Sequence, residues 1–408
     1  RALIDISERH WMAGNLDDAL FAARQGAHLA EQGGSAELAC AALVSEATCH
    51  WLRLDLSESS RVLDEAERLA DDHEAGILAK GRSSLNSWWT GDRSRAVIAA
   101  RQADEAAERV GLPAERIGPL CVLAAEAITT GDLATGESLA EEALVIQRVS
   151  GDQWMGAFLY PLVAGSRLLR GRWDEASAVF STWTSELDQR GGGVEHEFVQ
   201  QCKRWVLAWR GNAPSPETIG PTRRTSPAGT STGTATSRRQ RVEAAPRDLM
   251  LGMGSYVAIG IEIADLSGEL SNPIAATSAH ATLQACYQRG EIVTSSGSLL
   301  VPRVLGVGAR LAGRGEAAVV HLREAIDIAE RLGFEIELAR SRAEMARLFI
   351  DLGVGDAADA RAHLVAALEV FSRFELDTLA DRTAGWLGQL STPRRVDHSL
   401  RSWLPNNH

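Results

Sequence analysis

A repeated spacing constrains this chain more than any other feature. A glycine and a polar residue, with a small residue four positions later, recur at Gly14-Asn15…Ala19, Gly91-Asp92…Ala96, Gly131-Asp132…Gly136, Gly171-Arg172…Ala176, Gly313-Arg314…Ala318 and Gly355-Asp356…Ala360. Asp55…Ser59 fits without the glycine. The polar anchors at 15, 55, 92, 132 and 172 are 40, 37, 40 and 40 residues apart, and those at 314 and 356 are 42 apart. Eleven residues beyond the anchor stands Ala66, Ala103, Ala143, Ala325 or Ala367, with Gly26 and Trp183 as exceptions. Nineteen beyond it stands Gly34, Gly111, Gly151, Gly191 or Gly333.

Each of these residues has a physical role in one helix. An anchor Asp or Asn caps the helix start, its side chain accepting from an orphan backbone N–H. Small residues at +4 and +11 share one face and let a neighbouring helix come close. Glycine at +19 takes the left-handed conformation after the last turn, where a Cβ would cost roughly 1 kcal/mol or more. The spacing therefore predicts an 18-residue helix in each unit. Other apolar-periodic stretches lie between these helices, at 36–53, 75–90, 114–130, 153–170, 195–210, 297–312 and 335–352. Each unit is then a helical hairpin of about 40 residues, and such hairpins stack side by side. The expected fold is all-α, an α-solenoid superhelix of about eight or nine hairpins.

Length and composition agree. A chain of 408 residues is too long for one compact core, since such cores stop growing near roughly 250–300 residues. Ala, Leu, Glu and Arg dominate, which is helix-forming usage. The stretch 211–247 departs from this. It holds five prolines, 11 Ser or Thr, and six Arg against two Glu. It cannot bury a core and is expected to be a disordered insert. Either it is a true linker between two arrays, or it is a frame error in GC-rich DNA. The expected organisation is 1–210 as a first array, 211–247 as the insert, 248–391 as a second array ending in a capping helix at 376–391, and 392–408 as a loose tail. Within the second array, 248–266 and 270–290 read as a degenerate hairpin. Arg at position 1 suggests a fragment or a misplaced start.

Function classes narrow by what the residues do not offer. The net charge of −12 argues against a broad nucleic-acid surface. The two lysines, Lys80 and Lys203, fit no phosphate-binding G-x-x-x-x-G-K-[ST] loop. A literal G-x-S-x-G at Gly229-Thr230-Ser231-Thr232-Gly233 lies inside the insert, without the strand and helix that a nucleophile elbow needs. Five scattered cysteines contain no C-x-x-C, so no disulfide framework or zinc site is expected, and a reducing cytoplasm suits them. The longest apolar run, about 249–261, is too short to span a bilayer. Glu195-His196-Glu197 and the pairs Asp17-Asp18 and Asp71-Asp72 read as surface or helix-start charge rather than metal ligands. His321 and His363 share one repeat position and read as half-buried packing residues. No enzyme activity, cofactor or metal is expected.

Trp51 and Trp88 both stand four before their anchors, where Ile128 and Leu168 stand in later units, and so read as core. Trp89, Trp205 and Trp209 are less constrained by the pattern. The candidate groove residues are Trp89, Glu126, Arg167 and Trp205. They belong to the first helices of their hairpins.

Three stretches carry a resemblance: Arg303 to Gly353, GRWDEASAVF at 171–180 and DAADARAHLVAALEVFSRFE at 356–375. They resemble the C-terminal tetratricopeptide-like region of large bacterial signalling ATPases. Those include LuxR-type ATP-dependent transcription regulators and adenylate or guanylate cyclases with an attached AAA-type ATPase. The resemblance implies a non-catalytic interaction or effector-sensing array that gates an ATPase or output domain lying elsewhere. This chain lacks the family's ATP-binding motifs, its helix-turn-helix and the cyclase aspartates, so no catalytic residue carries over. The expected partner is a protein, a peptide or a small effector held in the concave groove. Two alternatives stay open: a stand-alone scaffold for a peptide or partner protein, and an all-helical enzyme with an unrecognised site.

Overall fold

The computed structural model describes residues 1–12, 15–53, 55–69, 74–151, 155–189, 281, 283–294 and 299–391. The expectations for 195–210, the insert 211–247, the degenerate hairpin at 248–266 and most of 270–290, the tail 392–408, and Trp205 and Trp209 lie outside the described residues. The first five helices are α1 (Ala2–Met12), α2 (Leu16–Gln32), α3 (Ala36–Leu52), α4 (Leu56–Arg68) and α5 (Glu74–Thr90). They are followed by α6 (Arg93–Val110), α7 (Ile117–Thr129), α8 (Leu133–Ser150), α9 (Gly156–Leu169) and α10 (Trp173–Gln189). The later part contains α11 (Val301–Leu311), α12 (Gly315–Leu332), α13 (Glu335–Leu352), α14 (Ala357–Arg373) and α15 (Asp377–Ser391). Consecutive helices pair as hairpins from α1/α2 to α13/α14, and α15 covers α13 and α14 at the end. The fold is an all-α solenoid. Among the described residues the only β pairing is an isolated bridge, Val293 to Leu300.

The anchors act as the register requires. Helices α2, α4, α6, α8, α10, α12 and α14 each begin one residue after an anchor. Asp55, Asp92 and Asp132 accept from the N–H groups of Glu58, Arg95 and Thr135 at 3.3, 3.1 and 3.1 Å. Asp356 accepts from Ala358 and Asp359. Asn15 makes no such bond, and in α2 the first-turn Asp17 and Asp18 complement the helix dipole instead. The helices at +1 to +18 come out at 18 residues in α6, α8 and α12, 17 in α2, α10 and α14, and 13 in α4.

Ala19, Ala66, Ala96, Ala103, Ala143, Ala176, Ala318 and Ala325 are fully buried. At Gly136 even an alanine is too large, because a Cβ would lie 2.4 Å from Ile128 and 2.9 Å from the Ala124 carbonyl oxygen. Trp183, the exception at +11, is buried and stacks on Tyr160 with ring centroids 5.4 Å apart. Gly111, Gly151 and Gly333 close their helices at φ of +81°, +73° and +71°, the left-handed region that favours glycine.

Three first helices begin later than their apolar patterns suggest. Pro113 opens a short 3-10 turn, Pro113–Arg116, so α7 starts at 117 rather than 114. Helix α9 starts at 156, not 153. Helix α11 starts at 301, not 297, because the preceding chain doubles back: Thr294 N–H donates to the Leu299 carbonyl (2.9 Å) and Val301 N–H to that of Ile292 (3.0 Å).

Packing is not confined to neighbouring hairpins. The N–H groups of Ile292 and Val293 donate to the Thr129 carbonyl at the end of α7, at 2.9 and 3.2 Å. Leu332 at the end of α12 reaches the turn at Gly131, and Phe374 after α14 reaches the turn at Gly171. Helix α9 also touches α13. The reason lies in α9 itself, where 11 of 14 residues are buried. A helix apolar on all sides needs cover on both flanks. One core accordingly runs from Leu85 to Leu379, and a smaller one around Leu43, Val62 and Leu63 holds the first hairpins.

The first helices of the later hairpins are held together by buried charge. Arg303 on α11 donates to Glu337 on α13 (2.7 Å), and one heptad along both helices Arg310 donates to Glu344 (3.1 Å). Glu337 also accepts from Arg340 at 2.7 Å and from the Leu300 N–H at 3.1 Å. Burial alone would raise the Glu337 pKa, but Arg303 and Arg340 overcome it and hold the carboxyl below its ordinary value. His321 and His363 are half-buried at equivalent positions, and desolvation lowers the pKa of both.

Candidate functional site

The first helices of successive hairpins touch one another, α1 to α3, α3 to α5, α5 to α7 and α7 to α9. They form the inner layer of the curve, and the second helices lie outside, carrying exposed Phe21, Ile98, Val145 and Val320. A cleft of about 160 Å³ opens on the inner faces of α1, α3 and α5. Its floor is apolar, built by Ile4, Trp11, Leu38, Ala41, Val44 and Leu78. Its walls carry Glu8, Glu37, Glu74 and Glu115, together with Arg1 and Arg82.

The repeat makes this cleft. Glu37 and Glu74 both stand 18 residues before their anchors, Leu38 and Ala75 stand 17 before, and Ala41 and Leu78 stand 14 before. Steps of three or four residues along a helix keep one face, as from 37 or 38 to 41 and from 74 or 75 to 78, so equivalent positions of α3 and α5 meet the same space. Glu37 and Glu74 were not among the sequence candidates. Their shared register position is the signal that finds them, and it is easily read as ordinary helix-start acidity.

The sequence candidates have other surroundings. Trp89 meets Trp51 and Phe158 edge to face, each pair of centroids 5.8 Å apart, and Trp51 meets Phe158 at 6.3 Å. This half-buried aromatic cluster joins α3, α5 and α9. Trp88 lies under the Arg93 guanidinium, 5.3 Å from its ring centroid. Glu126 accepts from Arg93 at 2.9 Å, joining α7 to α6. Arg167 donates to Glu137 at 2.8 Å and also to Glu141, joining α9 to α8. The structure thus brings Trp89 into an aromatic cluster and places Glu126 and Arg167 in ion pairs between helices.

Burial bears on the chemistry available. Desolvation pushes the Cys121 thiol to about 12 and, with Glu291, pushes Cys286 to about 12. Neither is a thiolate nucleophile at neutral pH. Cys40 and Cys49 are also free and buried. Among the described residues no group of three or more His, Cys, Asp or Glu is placed to hold a metal ion, and no helix is long and apolar enough to cross a membrane.

No family model matches the chain, and no curated protein matches it. Among solved structures it is similar to a tetratricopeptide repeat protein from Parabacteroides merdae, at 14% identity over 83% of this chain and 97% of that one, with a TM-score of 0.31. It is also similar to the Cut9–Hcn1 hetero-tetramer of the APC/C, at 11% identity over 96% and 93%, with a TM-score of 0.33. The tetratricopeptide domain of P58(IPK) is similar at 12% identity over 96% and 99%, with a TM-score of 0.23. The fold assignment rests on the helix register and packing described above.

Proposed function

We propose that this chain is a non-catalytic binding scaffold whose inner face takes a segment of a partner protein. The observation that carries this reading is the cleft of about 160 Å³ on α1, α3 and α5, an apolar floor with charged walls built from equivalent repeat positions. Stacked helical repeats generate extended concave surfaces by small rotations between units. The finer reading is that the array is the sensing or interaction region of a bacterial signalling ATPase, acting in the cytoplasm on an output domain supplied elsewhere. Its support is the sequence resemblance of 171–180, 303–353 and 356–375.

The test fills the cleft. Displayed random peptides selected on the full chain are expected to bind the parent at least about tenfold more tightly than an Ala41→Trp variant, a loss of about 1.4 kcal/mol. Ala41 is a half-buried lining residue, so the larger side chain enters the cleft rather than the core. Peptides that bind parent and variant alike, or a selection that enriches none, would contradict the reading.

A further inference from the structure

Resting on the reading of the inner face as a binding surface, we propose that the α1–α3–α5 cleft receives an arginine or lysine side chain presented by a peptide of the partner protein. Two observations point to that chemistry. The cleft, about 160 Å³ between α1, α3 and α5, has room for one long side chain. Its apolar floor and carboxylate-bearing walls match a side chain with an apolar stem and a cationic head.

The second observation is how these acids differ from the other inner-layer glutamates. Glu46 is neutralised by Arg24, Glu126 by Arg93, Glu337 by Arg303 and Glu344 by Arg310. Glu37 and Glu74 are exposed and have no ion-pair partner among the described residues. Against four wall glutamates stand only Arg1 and Arg82, which leaves an excess of negative charge. Burial against the cleft raises the Glu8 carboxyl above its ordinary value, opposed by Arg1, reinforced by Asp5 and opposed again by Arg82. An incoming cation would supply what the wall lacks, whereas an anionic peptide would add repulsion.

The test uses three labelled peptides of one length, leucine–arginine, leucine–glutamine and leucine–glutamate, titrated into the full chain by fluorescence anisotropy. The arginine peptide is expected to bind most tightly, and its affinity to fall as salt rises. A Glu37→Gln/Glu74→Gln variant changes only exposed side chains, and its unchanged circular dichroism and melting would certify the fold. It should lose about tenfold in affinity for the arginine peptide and nothing for the glutamine peptide. Equal binding of the arginine and glutamine peptides to the parent would overturn the charge assignment while leaving the binding surface in place. Full affinity in the double variant, tighter binding of the glutamate peptide, or no binding of any peptide would also overturn it. The cleft-filling selection, which presumes no charge, separates that failure from failure of the binding surface itself.

Discussion

Replacing Glu337 by alanine is expected to cost about 3–5 kcal/mol, because it removes a carboxylate that Arg303 and Arg340 pair with in the core. Glu337 is wholly buried and Arg303 is 1% exposed. With the carboxylate gone, Arg303 and Arg340 lose their 2.7 Å partners, and the Leu300 N–H loses its acceptor. The site sits beside the Val293–Leu300 pairing that precedes α11, so the loss should loosen that pairing as well as the α11–α13 contact. Repeat arrays need not unfold in one step. Hydrogen exchange in α11 and α13 is therefore the proper readout, alongside the melting midpoint. Restoring an apolar layer with Arg303→Met, Glu337→Leu and Arg340→Met together should recover most of the stability, since buried ion pairs rarely outdo well-packed hydrophobic residues. A single Glu337→Ala change that leaves exchange and midpoint untouched would show that the triad is not holding the inner layer.

Ala103→Glu should be nearly as damaging, at roughly 3 kcal/mol or more, through a buried charge without a partner and through overpacking. Ala103 is fully buried on α6, at the repeat position where Ala66, Ala143, Ala325 and Ala367 are equally enclosed. The neighbouring Gln102 is exposed, and Gln102→Glu should stay within about 0.5 kcal/mol of the parent. Thermal and urea melts of the two variants side by side give the comparison. Equal midpoints would mean that the small residues are not what lets the hairpins approach.

The second helices were legible because their determinants are local. An Asp that caps, an alanine that permits contact and a glycine that reverses the chain each act within one unit, and the register placed helix starts such as Arg93 and Leu133 to the residue. First helices were legible in existence, and α3 and α13 in their starts at 36 and 335, but the later starts of α7 and α11 were not, since apolar periodicity alone does not show that Pro113 opens a 3-10 turn or that Thr294 pairs with Leu299. The later hairpins dock on the earlier ones partly through Leu332 at Gly131 and Phe374 at Gly171; both stand 18 residues beyond their anchors, so the repeat fixes their place on the chain but not what they pack against. Of the proposed cleft, the sequence pattern marks only the first helices that carry it. Trp89 is an aromatic outside the pattern, and it stands against Trp51 and Phe158. The cleft acids Glu37 and Glu74 lie within the pattern, where acidity at a helix start has a sufficient local explanation.

The most direct measurement is to place a photo-reactive group on the peptides selected by the parent chain and to map the adducts on the full chain by mass spectrometry. Adducts concentrated at Leu38, Ala41 and Leu78, on the inner faces of α3 and α5, are the expected result. Adducts concentrated at Phe21, Ile98 or Val145, on the outer faces of the second helices, would contradict the assignment of the inner face as the binding surface.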